Sequence, residues 1–197
     1  MSKGEQTREM IVARAAPLFN RQGYAGASMA DIMRATGLEK GGIYNHFASK
    51  NDLALAAFDY SIGLVKQRFA RALDGKRHAI DRLHAIIAVF REMIDDPIVP
   101  GGCPVMNTAI EADDTHPELS AHARLAMSDW FAMTRRVVAK GVERGELRAG
   151  AEPEAVATLM ISTLEGAIML SRLYGDPAHI HRAIAHLEWY IDSALKA

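Results

Sequence analysis

The chain has 197 residues, 49% of them apolar and 24% charged, with a formal net charge of −1, so it can bury a real core and has no bulk charge for a polyanion. Its single cysteine, Cys103, excludes an intramolecular disulfide and a zinc site built on several thiolates. No apolar run of the roughly 18 residues needed for a bilayer span stands out, and Arg14 interrupts the apolar stretch 10–19 with no cleavage pattern after it, so the expectation is a cytoplasmic protein with no membrane partner.

Helical spacing dominates and no strand pattern persists, which predicts an all-α fold of about nine helices. Ile11, Ala15, Leu18 and Phe19 form one face of a first helix, expected to bend at Pro17 and to end near Gln22-Gly23. Ser28-x-x-Asp31 opens a short second helix, Thr36-Gly37-Leu38 is a turn, and a third short helix covers 39–45. Ser49-x-x-Asp52 opens a long helix to about Leu73. Ile80, Leu83, Ile87 and Phe90 mark the next stripe, and residues 95–104, rich in Pro and Gly, form a loop. Pro104 opens a short helix, Thr115-x-x-Glu118 starts a long one, and Pro153 begins a helix that is apolar on much of its circumference. Asp176-Pro177 caps the last, with Ile180, Ile184, Leu187 and Ile191 on one face.

Charge is uneven along the chain. Residues 1–50 hold seven Lys or Arg against four acids, and the remainder is net acidic. The first quarter could therefore meet a polyanion. Within it, residues 28–47 read SMADIMRATGLEKGGIYNHF. Two short helices joined by a tight Gly-containing turn make a helix-turn-helix, in which one helix enters a major groove about 12 Å wide. Ile32 and Leu38 are placed to bury the junction, and Gly37 permits a positive φ. Gly41-Gly42 costs about 1 kcal/mol per glycine in a helix relative to Ala, tolerable where the backbone must approach phosphates or base edges closely.

Tyr44-Asn45-His46-Phe47 followed by Ser49-Lys50-Asn51-Asp52-Leu53, with Ala16-Pro17-Leu18-Phe19 and Gly23-Tyr24 upstream, resembles the DNA-binding domain of TetR-type transcriptional repressors. Met33, Thr36 and Gly42 depart from the residues that family more often carries. The resemblance implies a DNA-binding domain at 1–52 and a ligand-binding and dimerisation domain at 53–197. It implies that Ser28 caps the second helix and meets phosphate, and that Lys40 and Gly41, with Gly42 beside them, approach backbone and groove. Tyr44, His46 and Lys50 would sit at phosphates, and Glu39 and Asn45 would be candidates for base contact. The implied partner is duplex DNA with a near-palindromic operator, read by a homodimeric repressor that a small effector, or modification of the lone Cys103, releases. No cofactor or metal is implied, and no enzymatic activity. A Cys-dependent enzyme and a ligand-binding scaffold without DNA binding are the alternatives.

Gly101-Gly102-Cys103-Pro104-Val105-Met106-Asn107 also resembles the signature of a subgroup that includes regulators of detoxification and efflux genes. With Pro104 at the first helical position, Cys103 falls at the N-cap, where a thiolate is favoured if solvent reaches it. The plainer reading is a small buried apolar residue, and the alternative is an electrophile or oxidant sensor. Phe90, Met93, Cys103, Met106, Asn107, Trp130, Phe131, Leu164 and Ile168 are the expected effector site, for a largely apolar or electrophilic molecule. Leu159, Thr163, Ile180, Ile184, Leu187 and Ile191 are the expected dimer interface, because a helix apolar around much of its surface needs a partner. The long helix from Ser49, about 36 Å at 1.5 Å per residue, would carry a tilt from pocket to DNA head.

Overall fold

The structure is a computed structural model and describes residues 2–113 and 115–197. Among these are nine α-helices and no strand, as the helical spacing implies: α1 (Lys3–Gly26), α2 (Met29–Thr36), α3 (Lys40–Tyr44), α4 (Lys50–Leu73), α5 (Ala79–Asp95), α6 (Pro104–Ala112), α7 (Pro117–Glu143), α8 (Pro153–Tyr174) and α9 (Ala178–Tyr190). A short π-helical turn, Ile191–Leu195, follows.

Local chemistry sets most boundaries. Ser2 and Glu5 form a capping box on α1, and Ser28 and Asp31 form one on α2. Ser49 Oγ accepts the Asp52 N–H at 3.1 Å at the start of α4. α1 continues as helix through Pro17 and breaks instead at Gly23, whose φ of 76° and ψ of 173° lie outside the helical region. α7 starts on His116 rather than Thr115: the His116 ring nitrogen accepts the Leu119 N–H at 3.3 Å, while the Thr115 hydroxyl donates back to the Glu111 carbonyl.

Two compact units emerge. The first joins residues 1–65 to 98–125, so α6, which packs against α1, and the start of α7 belong with the helix-turn-helix. This grouping cuts across the boundary expected at residue 52. Its physical reason is a polar clamp. Asn20, near the end of α1, donates to the carbonyls of Pro100 and Gly102 at 3.1 Å each. Asn107 on α6 donates to the Asn20 carbonyl and side-chain oxygen at 3.0 Å each, and to the Gly101 carbonyl at 2.8 Å. Gly101 has φ 123°, and a Cβ there would meet the Asn20 backbone at 2.8 Å. The Gly-Gly-Cys-Pro-x-x-Asn string thus fastens α6 to α1. The apolar centre beneath the helix-turn-helix is Ile11, Ala15, Ile32, Ile43, Phe47 and Leu53.

The second unit joins 66–97 to 126–197. Phe69, Phe90 and Trp130 pack as three mutually tilted rings, with centroids 5.4–5.8 Å apart. Leu164 and Ile168 of α8 and Ile180, Ile184 and Leu187 of α9 are buried in the same unit. The π turn is pinned by Arg148, which donates to the carbonyls of Lys196 at 2.9 Å and Ser193 at 3.0 Å. By length and composition α8 is apolar enough to cross a bilayer, with a mean hydropathy of 1.4 over 18 residues, but half of that window is buried here, as in the core helix of a folded unit.

Candidate functional site

The helix-turn-helix forms as its local signals require. The Ser28 hydroxyl donates to the Asp31 carboxylate at 2.6 Å while accepting the Asp31 N–H at 3.1 Å. The hydroxyl bond first, and then the Ser28 N–H donated to the same carboxylate at 3.2 Å, hold the Asp31 carboxyl below its usual range. Gly37 supplies the left-handed turn with φ 71°. Ile32 and Ile43 bury the junction, with Leu38 packed partly against them. Arg14 ties α1 to the end of α2 through the Ala35 carbonyl at 3.3 Å, and Arg8 lies 4.8 Å over the Phe47 ring.

One face is left open. Ser28, Glu39, Lys40, Gly41, Tyr44 and Asn45 are exposed, and Gly42 and His46 are partly so. Lys40 sits 5.7 Å over the Tyr44 ring. A Cβ at Gly41 would meet nothing within 4 Å, and one at Gly42 would make only ordinary contact with Leu38. The protein's own packing therefore demands neither glycine. The helix-propensity cost has no compensation inside the chain, which is the pattern expected where another molecule's backbone comes close.

Lys50 departs from the phosphate role that the resemblance implies. Its ammonium is turned inward onto the Tyr24 carbonyl and lies 4.5 Å over the Tyr24 ring. Burial lowers its pKa, opposed by the nearby charge of Glu111.

Glu111, on α6, was not singled out by any sequence signal. Its carboxylate accepts the Tyr24 N–H at 2.8 Å and the Ala25 N–H at 2.9 Å, the donors freed where α1 breaks. A Cβ on Gly23 would fall 2.4 Å from that carboxylate. Beside this latch lies a cavity of about 340 Å³ between α1, α4, α6 and α7. Phe19, Phe58, Leu119, Ala54 and Ala112 give it an apolar wall, and Tyr24, Asn20, Ser61, Glu111 and His116 give it polar points. Tyr24 and His116 meet edge to face at 4.7 Å. A small, largely apolar molecule with one or two polar groups fits such a lining.

The nine residues expected to form the effector site fall in both units. Phe90, Met93, Trp130, Phe131, Leu164 and Ile168 belong to the second unit, and Cys103, Met106 and Asn107 to the first. None of the nine lines the cavity just described. Phe90, Trp130, Leu164 and Ile168 are close-packed core, because a stripe at helical spacing needs only to pack. The Trp130 indole N–H is buried with no acceptor among the described residues. Asn107 is committed to the clamp. Cys103 is the N-cap expected, its sulfur accepting the Met106 N–H at 3.4 Å, but it is wholly buried.

The expected dimer face is corrected similarly. Ile180, Ile184, Leu187 and Ile191 are each 0% exposed within the single chain, so they meet its own core and present nothing to a second copy. Leu159 is exposed and Thr163 half-buried. The exposed apolar stripe runs instead along Leu159, Met169, Leu170, Leu173 and Tyr174 of α8, with Trp189 of α9 also exposed.

Comparison with known proteins agrees with this architecture. Residues 11–57 match the family model for bacterial regulatory proteins of the tetR family, and residues 79–187 match the tetracyclin repressor-like C-terminal domain. A TetR transcriptional regulator from Chloroflexus aurantiacus is 47% identical over 100% of this chain and 99% of its own, with a TM-score of 0.96. One from Cytophaga hutchinsonii is 34% identical over 100% of this chain and 98% of its own, with a TM-score of 0.91. The transcriptional regulator TtgR of Pseudomonas putida is 25% identical over 98% of this chain and 91% of its own. With a helix-turn-helix that leaves its second helix open and a helical C-terminal domain following it in sequence, the chain belongs to the TetR family of DNA-binding transcriptional regulators.

Proposed function

We propose that the chain is a cytoplasmic homodimeric repressor that leaves a near-palindromic operator when a small, largely apolar effector enters the cavity between α1, α4, α6 and α7. The observation that carries this reading is the latch at the cavity wall. Glu111 holds the broken end of α1 through Tyr24 and Ala25, and Lys50 holds the same turn from the start of α4. The turn that seats the helix-turn-helix is thus also the wall that a ligand would touch. A ligand that binds better when the latch is displaced must weaken DNA binding, and operator must weaken the ligand by the same factor. Calorimetry with and without operator tests it: an inducer that binds equally in both conditions contradicts the proposal.

Lys40 is the phosphate contact of the exposed face. Lys40→Ala should weaken all duplexes alike and lower the salt slope by about one unit, measured by anisotropy over a salt series. Glu39 and Asn45 variants should change base preference instead. An unchanged slope in Lys40→Ala would place the DNA elsewhere.

Cys103 acts as a cap rather than a sensor, since its sulfur is buried and already receives an N–H. Cys103→Ser should keep effector release intact, whereas Thr108→Phe, which projects into the cavity, should hold operator and resist release. The opposite pattern in a release assay would return the trigger to the thiol.

A further inference from the structure

The second unit holds a groove of about 390 Å³ formed by the segment after α4, the start of α5 and the end of α7. Six cations line it: Lys76, Arg77, Arg82, Arg136, Lys140 and Arg144. Glu146 is the one carboxylate among the lining residues, and it meets Arg144 at 3.9 Å. This concentration stands in a chain whose net charge is −1. Clustered like charge destabilises a fold unless something offsets it.

The groove is built rather than a chance meeting of long side chains. Gly141 of α7 lets α5 approach closely, since a Cβ there would lie 2.6 Å from the Ala79 Cβ and 2.7 Å from Leu147. Two guanidinium groups are steadied by main chain: Arg82 donates to the Lys76 carbonyl at 2.9 Å, and Arg144 to the Arg77 carbonyl at 3.3 Å. Glu146 is fixed at one end by the Ala79 N–H at 2.6 Å, so it neutralises only part of the field. Four of the six cations are arginines, whose planar forks match phosphate oxygens. The volume is that of a small-molecule site and not of an extended duplex track.

We infer that this groove binds a small ligand carrying two or more phosphate groups, independently of the effector cavity. One phosphate would leave most of the cations uncompensated, whereas a polyphosphate chain can engage several at once. The test is calorimetry of the full chain with inorganic tripolyphosphate and, separately, with ATP, both without magnesium. Both should bind at one site per chain and weaken steeply between 50 and 200 mM salt, about tenfold or more. Equal affinities assign recognition to the phosphates alone, and tighter ATP binding adds a nucleoside contact; either outcome supports the inference. The double change Arg136→Glu with Lys140→Glu should weaken both ligands roughly tenfold or more. Arg136→Gln with Lys140→Gln should weaken them less, which guards against misfolding by charge reversal; circular dichroism melts check both variants. Lys66→Glu, outside the groove, should leave binding unchanged. The inference is overturned if neither ligand binds at millimolar concentration. It is equally overturned if the Gln pair binds like wild type, or if Lys40→Ala abolishes binding and so assigns the anion to the DNA-binding face.

Discussion

Leu173→Glu combined with Trp189→Glu should convert the protein to monomers and weaken operator binding by roughly 100-fold or more, because two linked heads gain affinity through effective concentration that one head lacks. Leu173 is 70% exposed and Trp189 59%. Exposed apolar side chains at such density suit an interface, and under the proposed function a two-fold pairing of this face would supply the symmetric dimer that a near-palindrome requires. Wild type should sediment as two copies of the 21.5 kDa chain at micromolar concentration, and the variant as one. The variant should also keep its helical signal, since both positions are solvent-facing in the chain. Ile184→Glu should behave differently: it buries a charge in the core and should unfold the second unit. A wild type that sediments as a monomer, or a folded double variant that remains dimeric, would remove this face from the interface.

Gly23→Ala should strongly destabilise the DNA-binding unit. The position has φ 76°, and the added methyl would fall 2.4–2.6 Å from the Glu111 carboxylate. An L-residue in left-handed backbone costs about 1–2 kcal/mol. Displacing Glu111 breaks two charge-assisted bonds, each worth about 1.5–3 kcal/mol. The sum, roughly 4–8 kcal/mol, corresponds to a melting shift of about 10 °C or more for a chain of this size. Glu111→Ala removes the bonds without the clash and should cost less. The double variant should fall well short of additivity, because both changes act on one contact. A melting curve for Gly23→Ala within 2 °C of wild type would contradict the role given to the latch.

What was legible in the sequence was local. Ser28 and Asp31 meet within one turn, Gly37 declares its own conformation, and Pro104 places Cys103 at a cap, so each could be read from a few neighbouring residues. Gly23 was readable as a helix end, but its partner Glu111 was not: the hydrogen bond from Tyr24 spans 87 positions, and nothing in the spacing of α6 marks that carboxylate. The string around Asn107 points to a ligand role, whereas its amide donates to Asn20 and Gly101. Periodicity found the stripe of Ile180, Ile184 and Leu187 correctly as a stripe. It carries no information on whether a stripe meets its own core or a second copy, and here it meets the core. Lys50 makes the same point for charge: family resemblance gives a residue type at a position, while the partner of its ammonium depends on where Tyr24 and Glu111 lie.

The most direct test of the account is to recover the genomic DNA fragments that the purified protein retains and to sequence them. The expected result is a small set sharing a near-palindrome with half-site centres one or more whole turns apart, each turn about 34 Å. Retention should fall in Lys40→Ala and be lost in the Leu173→Glu, Trp189→Glu variant. Fragments without a common two-fold motif, or retention unchanged in both variants, would contradict it.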